Sequence, residues 1–147
     1  AEDDLQAALA LALTSDKRLR TSILVNLGHN RETNLKDDAG ALAAYRQNFE
    51  GKERIGGAEE FRSVQQAARI LSRQGKHDDA LKTLAHIDLD KTNGSWRATT
   101  LAIKGDLLIT AKRTDKARAV YRKALVEPSL PASVRKVVQE SLAELLR

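Results

Sequence analysis

One set of intervals recurs along this chain. From Gly105, the residues Ala117, Tyr121 and Ala124 follow at 12, 16 and 19 positions, and from Ala68 the residues Ala80, Leu84 and Ile87 follow at the same three distances. From Gly28, the residues Ala41, Tyr45 and Asn48 follow at 13, 17 and 20, each one longer, as a single residue inserted between the two halves would produce. Steps of four and three place side chains on one face of a helix. Each stretch therefore reads as two antiparallel helices joined by a tight turn, with small residues where they touch. A helix pair of this size cannot bury its apolar face alone, so the pairs must stack.

The chain in order fits that reading. Acidic Glu2, Asp3 and Asp4 suit the start of a helix over Glu2–Thr14, with Leu5, Leu9, Ala12 and Leu13 as its apolar stripe. Asp16 or Ser15 caps the next helix, which carries Leu19, Ile23, Leu27 and Gly28 and fades near Asn34. After the polar turn NLKDD comes a third helix, in which Asn48 replaces the expected second Ala. GKERIGGAEE, residues 51–60, is a long loop; Phe61–Gln74 is a helix stopped by Gly75, and KHDDALKTLAHI is its partner. DLDKTNG forms a second long loop, and WRATTLAIKGDLLITAKRTDKARAVYRKALVEP a further pair closed by Pro128. Finally, Val134, Val138, Leu142 and Leu145 line one face of a terminal helix that leaves Arg135, Lys136, Glu140 and Glu144 in solvent, as the end of a stacked array requires.

Composition narrows the function classes. Aromatic residues are only 3% and prolines two, so closely packed helices are favoured over sheets. The absence of Cys removes disulfides, thiolate metal sites and cysteine nucleophiles, and leaves the compartment open; we expect the cytoplasm, with the periplasm as the alternative. The acidic start is unlike a signal peptide, and Ala7–Leu13 is too short to span a bilayer. His29, His77 and His86 lack metal-ligand spacing, and Gly56-Gly57 lacks the context of a phosphate loop. Asp88, Asp90 and Thr92 mimic a calcium loop, but Asn93 and Thr99 stand where Gly and Glu are needed. We expect no enzyme, no cofactor and no metal.

The spacing around Gly105 and the phrase ARILSRQGKHDDAL resemble tetratricopeptide (TPR) repeats, whose period is about 34 residues. The resemblance implies an all-α fold, an α-α superhelix (a TPR-like solenoid) of about eight antiparallel helices. It divides a single domain into an incomplete repeat over 1–14, a degenerate one over 16–50, repeats at 58–88 and 96–128, and a capping helix over 131–147. Phe61 and Ala98 match with a period of 37. Trp96, Gly105-Asp106, Ala117-Arg118, Tyr121 and Pro131-Ala132 make residues 67–145 similar to bacterial TPR-like proteins such as the ancillary subunit of the Sec translocon. The helix pairs with long loops also resemble kinesin light chain repeats, whose bacterial relatives accompany tubulin-like filaments.

What the resemblance implies is a scaffold or adaptor that binds protein. In TPR arrays the first helix of each pair lines a concave groove. Arg62, Gln65, Arg69 and Arg73 form a polar stripe on such a helix, beside the packing stripe of Phe61, Val64, Ala68 and Leu71. Matching positions add Asn26 and His29 on one side and Asp106 on the other. Arginines interleaved with amides suit an acidic segment or a C-terminal carboxylate. The Lys and Asn of chaperone-binding members are absent at Val25 and His29, which argues against a clamp for a chaperone tail.

Charge suggests an alternative surface. Residues 1–60 carry eight Lys and Arg against eleven Asp and Glu, whereas residues 97–147 carry eleven against five. Lys112, Arg113, Lys116, Arg118, Arg122 and Lys123 form a candidate basic patch, suited to an acidic protein surface or filament, or to peripheral contact with an anionic membrane. With so few aromatics to stack on bases, nucleic acid is an improbable partner.

Overall fold

The computed structural model describes residues 2–12, 16–51, 54 and 56–147. Among the described residues, eight helices make up the order: α1 (Glu2–Ala12), α2 (Lys17–Thr33), α3 (Asp38–Arg46), α4 (Ala58–Arg73), α5 (His77–Leu84), α6 (Gly94–Thr110), α7 (Thr114–Leu125) and α8 (Ala132–Leu145). No strand occurs among the described residues. Contacts group the chain into two compact units, residues 1–70 and 71–147. Leu13, Thr14 and Ser15, assigned above to a helix end and a cap, and Lys52, Glu53 and Ile55 of the expected loop lie outside the described residues.

The turns explain why each pair closes. Asp37, Lys76 and Arg113 donate their amides to the carbonyls of Arg31, Leu71 and Leu108 at 2.8, 2.9 and 2.8 Å. Those of Lys76 and Arg113 are the six-to-one bond that seals a helix C-terminus, and that of Asp37 spans one residue more; all three close over a left-handed residue. That residue is Lys36 (φ 55°), Gly75 (φ 75°) or Lys112 (φ 58°), in every case two positions before the next helix. Four residues separate α2 from α3, but three separate α4 from α5 and α6 from α7. The extra residue is the insertion implied by the longer intervals from Gly28.

In the first unit, the Asp16 carboxylate caps α2 by accepting from the amides of Arg18 (2.9 Å) and Leu19 (3.2 Å). Asp37 does the same for α3 through Gly40 at 2.9 Å. Arg31 joins α1 to α3, with Nε donating to Glu2 at 2.9 Å and a terminal nitrogen to the Gly40 carbonyl at 3.2 Å. Leu24, Ala41, Tyr45, Phe49 and Val64 are buried.

In the second unit, Ala102, Tyr121 and Val138 are buried together, with Val134, Leu142 and Leu145 of α8 packed against them. The terminal helix thus uses the stripe its sequence displays. α7 and α8 also cap one another. Arg118 of α7 donates to the Leu145 carbonyl at 2.9 Å, and Arg135 of α8 donates to the Leu125 and Glu127 carbonyls at 2.6 and 3.0 Å. Arg135, expected in solvent, is therefore half-buried, because the end of α7 needs a donor.

Two helices begin earlier than their sequence spacing suggests. α4 begins at Ala58 rather than Phe61, and Glu60 in its first turn is buried. Its carboxylate accepts from Arg54 Nε at 2.8 Å and from the Gly56 amide at 2.9 Å, fastening the end of the preceding loop. α6 begins at Gly94, two residues before Trp96.

Candidate functional site

The two glycines that head repeated intervals are close-approach points. A Cβ on Gly28 would lie 2.5 Å from the Tyr45 ring, and one on Gly105 would lie 2.2 Å from the Tyr121 ring. Each tyrosine is fixed at its far end, Tyr45 donating to Glu32 at 3.3 Å and Tyr121 to Asp106 at 2.5 Å. Burial, and then the hydrogen bond to Asp106, push the Tyr121 phenol well above its ordinary pKa. These side chains build the pairs. They also place the exposed residues.

In the first unit, Asn26 and His29 are both exposed on α2, three positions apart. On α4, Arg62 and Arg69 are exposed, and Arg62 lies 3.5 Å from Glu59 in its own helix. Gln65 corrects the sequence reading. At 8% exposure it is buried, so its amide does not interleave with the arginines at the surface. In the second unit, Arg73 at the end of α4 is exposed, and so is Asp106. Asp106 is committed to Tyr121, which makes it part of the helix-pair contact as well as a surface carboxylate. Arg62, Arg69 and Arg73 are seven and four positions apart, which at about 100° per residue puts them on one side of α4. Phe61, expected in the packing stripe, is half-buried, while Ala67 and Ile70 are fully buried beside Val64, Ala68 and Leu71.

The basic patch is divided. Arg118 is half-buried as the cap of α8, and Arg113 pairs with Asp78 at 2.5 Å. Ala117, Tyr121 and Ala124 define the buried side of α7. At about 100° per residue, Lys116 and Lys123 fall on one flank of that side and Arg118 and Arg122 on the other. Lys112 lies outside the helix, in the left-handed turn position. Six neighbouring cations in sequence are thus not one surface.

Of the remaining chemical candidates, Asp88 and His86 are locally engaged. Asp88 accepts from the Asp90 amide at 3.1 Å and from Lys91 Nζ at 3.2 Å, and its pairing with Lys91 holds its carboxyl below the usual range. His86 Nδ1 lies 3.0 Å from the Thr83 carbonyl. Among the described residues, no three His, Cys, Asp or Glu side chains are grouped to hold a metal ion, and no helix is long and apolar enough to cross a membrane. The sequence reading missed Glu60, Asn48 and Arg135 as structural polar residues; for Asn48 the signal was available, a polar residue at a repeat position filled by Ile87 and Ala124 elsewhere.

Comparison with known proteins agrees with the helix pairs. No curated protein and no solved structure matches the chain. The family model for the tetratricopeptide repeat-like domain matches residues 31–146, from the last turn of α2 through α8. Paired helices closed by the same turn and packed by small residues are what such a repeat consists of, and the chain belongs to the tetratricopeptide repeat-like domain family.

Proposed function

We propose that this chain is a non-catalytic protein-binding module whose α4 arginine face receives an acidic peptide segment. The family is one of interaction scaffolds, which supports protein partners. The observation that carries the finer reading is the exposure of Arg62, Arg69 and Arg73 along one side of one helix. Guanidinium groups repeated at helical spacing suit carboxylates through paired, charge-assisted hydrogen bonds. Gln65 has no part in it. Asn26 and His29 remain as accessory polar contacts in the first unit, and Asp106, in the second unit, is left to its contact with Tyr121. We place the activity in the cytoplasm.

Affinity capture from a lysate, comparing the native chain with an Arg62→Glu/Arg69→Glu/Arg73→Glu variant, tests this. A hit is then confirmed as a synthetic peptide by calorimetry. The expected result is sequence-dependent binding that the variant loses and that moderate salt weakens without abolishing. Equal binding by native chain and variant would remove α4 from the mechanism.

A second reading keeps an acidic filament or anionic membrane as the partner of the basic C-terminal half. Lys112, Lys116, Arg122 and Lys123 remain exposed and favour it. Such binding tolerates sequence changes and collapses as ionic strength rises. Charge reversal at Lys116 and Arg122, on opposite flanks of α7, separates it from the α4 reading.

A further inference from the structure

A groove in the second unit lies between α5 and α7 with α6 as its floor, and it is unrelated to the α4 face. Its volume is about 660 Å³, and Leu81, Ala85, Leu108, Ala119 and Val120 give it an apolar bed. Four cations, Lys82, Lys104, Arg113 and Lys116, stand around that bed against a single carboxylate, Asp78. Asp78 is already paired with Arg113 at 2.5 Å, and this pair connects the first turn of α5 to the turn before α7. A second hollow of about 340 Å³ shares Leu81, Ala85 and Lys104 and continues the trough past Leu84 and Ile87. There Asp88 lines the wall, engaged with Lys91.

We propose that this trough docks an acidic amphipathic helix of a protein partner. Three features select that occupant. Thr100, Lys104 and Leu108 line it from α6 at intervals of four, so along that helix it runs about 12 Å, two helical turns. Two helices bounding a third make the shape into which an amphipathic helix lays its apolar stripe. The lysines come from all three helices, Lys82 from α5, Lys104 from α6 and Lys116 from α7. An occupant with leucines along its buried stripe and glutamates on both flanks meets apolar surface at its centre and an ammonium group on either side. A purely acidic strand leaves the apolar bed wet, and a purely apolar helix strands the ammonium groups beside it. Charge and apolarity are required together.

The test uses the full chain and a fluorescein-labelled synthetic helix with leucines at i, i+3, i+4 and i+7 and glutamates on the flanks, read by fluorescence anisotropy. One control has the same residues scrambled off the common face; a second is a leucine-free peptide of equal charge. The designed helix is expected to bind about tenfold or more tightly than either control, a difference of about 1.4 kcal/mol or more. Ala85→Glu and Ala119→Trp, both at exposed positions, should each reduce that affinity by about tenfold while leaving the circular dichroism melt unchanged. The Arg62→Glu/Arg69→Glu/Arg73→Glu variant should bind the helix as the native chain does, which separates this site from the α4 face. Equal binding of designed and scrambled peptides, or full binding by the folded Ala85→Glu and Ala119→Trp variants, overturns the proposal. So does concentration-dependent dimerisation of the native chain in sedimentation that Ala119→Trp abolishes, since the occupant would then be a second copy.

Discussion

The α2–α3 and α6–α7 pairs solve one packing problem with different chemistry. In both, a glycine on the first helix lets a tyrosine ring from the second approach its backbone, and in both a lysine in the left-handed region closes the turn. They diverge three residues beyond the tyrosine. Ala124 stays within α7, which runs on to Leu125, whereas α3 ends at Arg46 and Asn48 lies in the turn that follows. The Asn48 amide donates to the Thr21 carbonyl at 3.1 Å and to the Ser63 hydroxyl at 2.9 Å, bridging α2 to α4 from a position 4% exposed. One pair is thus held by apolar contact along a full second helix. The other shortens that helix and replaces the last contact with buried hydrogen bonds, which gain less and demand tighter geometry.

The largest expected effect tests the shared part. Gly105→Ala forces a methyl to 2.2 Å from the Tyr121 ring, and such overpacking costs about 1–3 kcal/mol. With ring atoms at 2.2 and 2.4 Å the overpacking sits at the top of that range, and helix propensity returns up to about 1 kcal/mol, so the net loss in urea denaturation should be about 2–3 kcal/mol. Gly28→Ala, at 2.5 Å from Tyr45, should cost somewhat less. Pairing Gly105→Ala with Tyr121→Leu should give a loss smaller than the sum of the two single changes, because the ring causes the clash. Additive losses would show that the glycine–tyrosine approach does not hold the pair together.

Next in size is the feature the pairs do not share. Asn48→Ala leaves the buried Ser63 hydroxyl and the Thr21 carbonyl without this donor, at a cost of about 1–3 kcal/mol. Amide hydrogen exchange should show the loosening at Asn48, Phe49 and the start of α4, with α6 to α8 unaffected. A uniform change across the chain, or none, would mean that the asparagine is only tolerated there.

The legible parts of this fold are those where the repeat leaves a residue little choice. Ala80, Ala117 and Ala124 are fully buried, as their spacing requires, and Val138 sits in the core of the unit it closes. Gly75 announced its turn because glycine is the usual left-handed residue; Lys36 and Lys112 hold the same conformation without announcing it. The polar residues that misled are those whose partners are distant in sequence. Arg118 reads as part of a charge cluster until Leu145, 27 positions on, presents its carbonyl. Gln65 has the right phase for a surface stripe and is nevertheless buried, since a stripe boundary on a helix depends on what covers it. The α5–α6–α7 groove was invisible for the same reason, as its lysines are separated in sequence and gathered only by packing.

The smallest effect separates the two tyrosines. Tyr121 donates to a carboxylate at 2.5 Å and Tyr45 at 3.3 Å, so Tyr121→Phe should cost about 1–2 kcal/mol and Tyr45→Phe less than about 0.5. Alkaline pH sharpens the contrast. In the unfolded chain the Tyr121 phenol titrates near 10.0, but burial and Asp106 keep it protonated to higher pH in the folded protein. Above pH 10 the unfolded state therefore binds fewer protons than the folded state, and stability falls as pH rises, by at most about 1.4 kcal/mol per unit. Below that value the contribution is constant. The stability difference between native chain and Tyr121→Phe should accordingly be flat up to pH 9 or so and shrink above 10, as the native chain loses what the variant never had. A difference that stays level through pH 11 would mean that the Tyr121–Asp106 bond adds nothing to the contact its ring already makes with Gly105.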